Sequence, residues 1–212
     1  FEGPGIKKIP HKDLVTASKL FSLFHEERVS IIKPLAAEGV EGTGSMGDDT
    51  ALAVLSSMPR SIYDFFRQQF AQVTNPPIDS LRESSVMSLE TCFGPELNIF
   101  EETQDHARRI VSTSPVLSHK KLASLLNNPY FRVESFTLIF SPKVQLQDAL
   151  EALTKKVVQA VKRGVVIIHL NEILPQGNSL SLNALLATGC IHQELVKLGL
   201  RSDANLIISS AT

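Results

Sequence analysis

A chain of 212 residues in which 43% are hydrophobic and 20% charged has room for a sizeable core and is too apolar to stay disordered. Its 21 basic residues are interspersed among 22 acidic ones, for a net charge of −1; without a basic stripe to replace phosphate counterions, nucleic-acid binding is set aside. The longest strongly apolar run, Val165 to Leu170, is far shorter than the roughly 18 residues that span a bilayer.

The chain begins without the basic-then-apolar pattern of a secretion signal. Its two cysteines, Cys92 and Cys190, show neither CxxC nor Cys/His spacing, so no metal or iron–sulfur site is indicated. Two isolated thiols fit a reducing compartment, and a cytoplasmic location is expected.

In chain order, Leu14, Ala17, Phe21 and Phe24 share one face of an expected helix. Val29, Ile32 and Leu35 mark a second, which Pro34 should kink or end before Gly39 because it lacks a backbone donor. The stretch Gly39 to Thr50 carries four glycines and reads as a loop leading into "ALAVL" (Ala51 to Leu55), a buried-strand candidate. Ser61 to Phe70 reads as a helix with Tyr63, Phe66 and Phe70 on one face. Pro76 and Pro77 impose an extended corner, after which Asp79 or Ser80 can cap a helix running through Arg82, Val86 and Leu89 to a stop at Gly94-Pro95.

The C-terminal part is more regular. Phe131 to Phe140 reads as a strand and Gln145 to Arg163 as a helix presenting Leu146, Ala149, Leu150, Leu153, Val157, Ala160 and Val161 on one face. Gly164 ends that helix, and Glu151 and Lys155 form a supporting pair. "GVVIIHL" follows as a wholly apolar strand, then a helix from Ser181 to Leu198 ending at Gly199, then the strand "NLIIS". Strands alternating with helices predict an α/β fold with a mainly parallel sheet flanked by helices, together with a helical N-terminal part. Residues 1–130 are expected to form a helix-rich part and 131–212 a regular β-α-β-α-β part of one domain.

Chemistry is sparse. "GTGSMG" precedes a strand candidate and lacks the Lys-Ser/Thr of a phosphate loop. Asp48 and Asp49 are adjacent and diverge in an extended chain. His192 reads as a hydrogen-bonded core residue on a stripe with Leu182, Leu185, Gly189 and Val196, and Cys92 as a buried thiol. His169, near the C-terminal end of a buried strand, is the better site candidate because open α/β sheets bind ligands at that edge. Gly177 to Ser181 can receive an anion at a helix start, although a cap by Ser179 or Ser181 also explains it. No nucleophile, base and orienter come together.

"GSMGDDTALAVLS" (Gly44 to Ser56), "YDFFRQQFAQVTNPPIDSLRESSVMSLET" (Tyr63 to Thr91) and "SPVLS" (Ser114 to Ser118) closely resemble the central domain of glutamate synthase, nearest to the large subunit of the bacterial NADPH-dependent enzyme. A looser resemblance runs from Ala149 to the end. The chain departs from the family's usual proline at Ala51 and Ser80, from its Ser-Asp-Arg at Leu170, Asn171 and Glu172, and from its histidine pair at His192-Gln193.

The resemblance implies a parent enzyme that converts 2-oxoglutarate and glutamine into two glutamates. An amidotransferase domain would release ammonia, which passes through an internal tunnel to a barrel domain bearing FMN and an iron–sulfur cluster. NADPH would act through a small partner subunit. The central domain would be a rudimentary, flavin-free relative of the barrel, without catalytic, cofactor or metal residues of its own. Starting at Phe1, with no N-terminal cysteine, and stopping at Thr212, the chain is expected to be an excised piece. Ser45, Met46, Gly47, Asp48, Asp49, Thr50, Thr74, Asn75, Pro76, Pro77 and Asp79 are expected at a domain interface or the tunnel wall, since loop-like sequence there carries the densest resemblance. The competing expectation is a small flavin- or phosphate-binding half-barrel that works alone.

Overall fold

The structure, a computed structural model, describes residues 10–20, 23–37, 42, 53–57, 65, 79–86, 88–173, 175 and 177–210. By contacts the chain divides into two compact units, one built on Glu83–Ser210 and one on Ile6–Arg82.

Among the described residues of the second unit, α1 spans His11–Leu20 and α2 His25–Glu27. The break between them falls where one continuous face was expected, and Phe24 takes the N-cap position of α2, its N–H bonded to the Glu27 carboxylate at 2.9 Å. Of the two effects expected of Pro34, a kink or an end before Gly39, the structure shows a distorted turn ahead of the proline and no stop at it. A π turn over Arg28–Ile32 leads directly into α3, Lys33–Ala37. Pro34 has no N–H to give Ser30, and its ring crowds that carbonyl; widening the preceding turn, with Lys33 N–H bonded to Arg28 C=O, accommodates both effects.

"ALAVL" is not a buried strand where it is described. Ser56 N–H closes a turn onto Ala53 C=O at 2.8 Å, and Leu55 is 99% exposed. An apolar run this short has no periodicity to fix its conformation, and the serines after it favour turns. The aromatic helix expected over 61–70 lies outside the described residues apart from Phe65.

Helix α4, Ser80–Val86, is shorter than expected. Ser88 bonds back to the Ser85 carbonyl and its hydroxyl accepts from Glu90 N–H, the local competition by which serine disfavours helix. Thr91–Phe93 then forms β1, antiparallel to β2 at Ile110–Ser112. Phe93 turns inward and Cys92 outward, so this thiol is exposed rather than buried. Helix α5, His119–Leu126, is capped by the Ser118 hydroxyl, which accepts from Lys121 N–H.

The regular part is three parallel strands in the order β3 (Val133–Thr137), β5 (Ile167–Asn171), β7 (Asn205–Ser209), joined through α6 (Leu146–Lys162) and α7 (Ala184–Lys197). This confirms the α/β class; the described strands make no closed barrel. The strand expected over 131–140 is two: after Leu138, Ile139–Phe140 (β4) leaves the sheet to pair antiparallel with β6, Leu180–Ser181. Leu138 sits between them, its N–H bonded to Asn171 C=O and its C=O to Leu182 N–H.

Alternation along β5 builds two cores. Ile168 and Leu170 meet α6 and α7 on one face; Ile167, with Ile207, meets Phe93 and Leu125 on the other. Five of the seven predicted face residues of α6 are buried, while Leu150 is half-buried and Leu146 stays exposed. Gly164 ends the helix at φ +84°, a left-handed geometry that favours glycine.

Helix α7 begins three residues later than expected, because Asn183 rather than Ser179 or Ser181 supplies the cap. Its buried stripe is Ala184, Ala187, Ile191 and Leu195, one position off the expected one. His192 therefore lies beside the core, half-buried, where its Nδ1 accepts from Arg201 Nε at 3.0 Å. Gly189 in mid-helix costs about 1 kcal/mol relative to alanine, and a Cβ placed there would meet nothing within 4 Å.

Candidate functional site

The C-terminal ends of the parallel strands gather the polar side chains that an apolar sheet has to accommodate. His169, 4% exposed, lies in register with Ser135 on β3, on the face of Ile167 and Ile207. Its Nδ1 is 3.0 Å from Ser135 Oγ and its Nε2 is 2.8 Å from Ser209 Oγ. A neutral imidazole has one donor and one acceptor nitrogen, and a hydroxyl serves either, so the three residues are satisfied in either tautomer. Burial holds the His169 pKa below its ordinary value, because the charged form loses hydration.

One residue beyond β5, Glu172 extends the cluster. Its N–H bonds to Ser209 C=O at 2.8 Å, one carboxylate oxygen accepts from Ser181 Oγ at 3.3 Å, and the other accepts from Ser210 Oγ. Side chains from β3, β5, β6 and β7 thus tie this end of the sheet together. With both ring nitrogens engaged inside the sheet, His169 acts as a cross-strand clamp, not as an acid or base presented to a ligand.

The segment Gly177 to Ser181 does not suit an anion. Asn183 Oδ1 already accepts from Leu185 N–H (3.0 Å) and Leu186 N–H (3.2 Å), the amides a phosphate would use at the start of α7. Ser181 faces the Glu172 carboxylate, which would repel one. These residues do not fit a flavin phosphate. Cys92 on β1 and Cys190 on α7 belong to different elements, and no cluster of three metal-ligating side chains occurs among the described residues.

Of the loop residues expected at an interface, Asp79 is described. Its Oδ1 accepts from Leu81 N–H (3.0 Å) and Arg82 N–H (2.9 Å), and its Oδ2 meets Arg82 Nε at 2.6 Å, so it is the cap of α4. The Arg82 side chain, with the backbone bonds, holds its carboxyl below the usual carboxylate range. Ser45, Met46, Gly47, Asp48, Asp49, Thr50, Thr74, Asn75, Pro76 and Pro77 lie outside the described residues.

Sequence reasoning singled out His169 but missed Ser135, Ser209 and Glu172. The available signal was physical: a buried histidine needs two partners, and hydroxyls in neighbouring, mostly apolar strands can supply them once the strand register is known.

Residues 16–212 match the model of the glutamate synthase central domain. The chain is 40% identical over 197 residues to ferredoxin-dependent glutamate synthase 2 of Synechocystis sp., covering 90% of this chain and 13% of that protein. It is 36% identical over 197 residues to the chloroplastic ferredoxin-dependent glutamate synthase 2 of Arabidopsis thaliana, covering 90% and 12%. With the glutamate synthase [NADPH] large chain of Bacillus subtilis it shares 34% over 200 residues, covering 93% and 13%. The chain therefore spans about an eighth of the length of these curated relatives. It belongs to the glutamate synthase central domain family.

Proposed function

We propose that this chain is the connecting domain of a glutamate synthase, an oxidoreductase of nitrogen metabolism that makes two L-glutamates from 2-oxoglutarate and L-glutamine with a reduced donor. It holds the amidotransferase and FMN domains of the parent chain in register and borders the passage through which ammonia crosses between them. The observation that carries this reading is the family match over residues 16–212, in a chain that covers only 12–13% of its relatives. A domain of this kind contributes geometry: reaction partners gain rate from being held in position, and loops on a rigid scaffold set that position.

The sheet end clamped through His169 and Glu172 suits such a scaffold. FMN, the iron–sulfur cluster and NADPH, the last through a small subunit, would belong to the parent enzyme's other parts. Ser45 to Thr50 and Thr74 to Asp79 are proposed to face the interface and the passage. To test this, Thr50→Trp and Asn75→Trp in the full-length enzyme should let glutaminase turnover exceed glutamate formation. Unchanged stoichiometry between the two activities in both variants would defeat the reading.

A further inference from the structure

The connection between β1 and β2 carries a turn whose side chains are the reverse of the usual ones. Glu101 N–H bonds to Asn98 C=O at 3.0 Å and Phe100 N–H to Asn98 Oδ1 at 3.1 Å, so Ile99 and Phe100 fill the two central positions. Glycine, proline, asparagine, aspartate and serine dominate such positions. Here two large apolar side chains stand side by side, 83% and 89% exposed, so packing within the chain does little to offset their contact with water. The turn is held from behind. Asn98 Nδ2 bonds to Glu101 Oε1 at 3.0 Å, and His106 Nε2 donates to Glu101 C=O at 2.8 Å. The base of the connection is tied to the start of β7, where Glu96 N–H meets Ser202 C=O and Gly94 N–H meets Asn205 Oδ1, both at 2.8 Å.

Charge narrows the partner. Residues 95–105 include Glu96, Glu101, Glu102 and Asp105 and no lysine or arginine. The ion pairs among the described residues use none of these four acids. An apolar anchor ringed by unpaired carboxylates fits an apolar socket ringed by lysine or arginine, which would bury the anchor and steer its approach. We propose that the Ile99–Phe100 turn docks into such a socket on another domain of the same longer polypeptide. The source follows from proportion, since this chain covers only 12–13% of its curated relatives. A turn already fixed by its own hydrogen bonds loses little freedom on docking. The proposal rests on the reading of this chain as one domain of a larger protein, but not on the ammonia passage.

In the full-length protein, hydroxyl-radical footprinting read by peptide mass spectrometry should oxidise Phe100 about tenfold more slowly than in the same protein unfolded in urea, as for an anchor excluded from water. The double variant Glu96→Lys with Glu102→Lys, which reverses part of the acidic rim, should raise native Phe100 oxidation by about threefold or more. Circular dichroism checks that the variant stays folded. With Phe100 replaced by photoreactive p-benzoylphenylalanine, irradiation of mixed ¹⁵N-labelled and unlabelled protein should join position 100 to a peptide of its own polypeptide outside residues 1–212. Native oxidation close to the unfolded rate overturns the proposal. Oxidation unchanged in the double variant does so too, as does a crosslink that joins two copies or a separate protein. Coupled activities in the Thr50 and Asn75 variants would leave these results untouched, so the two readings fail separately.

Discussion

His169 Nε2 and Ser209 Oγ meet 2.8 Å apart across the boundary between β5 and β7, the half-buried side of a clamp whose other hydroxyl, that of Ser135, belongs to an exposed residue. The two halves are unequal. Ser209→Ala strands a buried ring nitrogen and should cost about 1–3 kcal/mol, whereas Ser135→Ala lets water replace the hydroxyl and should cost under about 1 kcal/mol. Urea unfolding of the two variants, compared with wild type at constant m-value, checks the order.

Acid should loosen the same clamp. The folded-state pKa of His169 lies below its ordinary 6.5, through burial, so the unfolded chain takes up a proton that the folded chain refuses. The contribution is fully present above about pH 6.5 and is lost as pH falls below it toward the folded-state value. The melting temperature of wild type should fall between pH 7.5 and pH 5 more steeply than that of His169→Gln. Equal slopes would remove His169 from the account. Asp79, whose pKa is lowered from 3.8, keeps its contribution throughout this range and loses it only at more acid pH.

The Asp79 cap predicts a local effect. Asp79→Ala removes the side-chain acceptor shared by Leu81 N–H and Arg82 N–H and leaves Arg82 N–H its bond to Asp79 C=O, so exchange should quicken most at Leu81 and less at Arg82, while amides of β5 keep their protection. Hydrogen exchange followed by NMR separates the two regions.

Thr188 carries a buried hydroxyl with no hydrogen-bond partner among the described residues. Valine has its shape without the polar atom. Thr188→Val should leave stability unchanged or raise it by up to about 1 kcal/mol, as read from the urea midpoint.

The regular half of the fold was legible because its signals agree. Ala149 to Val161 repeat at helical spacing, Lys162, Arg163 and Gly164 end the helix, and the run into His169 is apolar on both faces, which implies a strand covered on both sides. Legibility failed where local and tertiary preferences compete. Serines around Leu89 shortened α4, Leu138 divided one apparent strand between two sheets, and Asn183 displaced the expected serine caps. The family was readable from "FAQVTNPPID" and its surroundings, whereas the His169 clamp was not, because its partners lie 34 and 40 residues away and meet only through the sheet register.

The central claim, that this domain helps seal a passage for ammonia, is tested most directly by isotope competition in the full-length enzyme. Glutamine labelled with ¹⁵N in its amide is supplied with ¹³C-labelled 2-oxoglutarate and excess unlabelled ammonium, and the ¹⁵N content of the ¹³C-labelled glutamate, the product built on 2-oxoglutarate, is measured by mass spectrometry. The account predicts nearly undiluted label in wild type and marked dilution in Asn75→Trp. Dilution in wild type, or undiluted label in a variant that keeps its full rate, would contradict it.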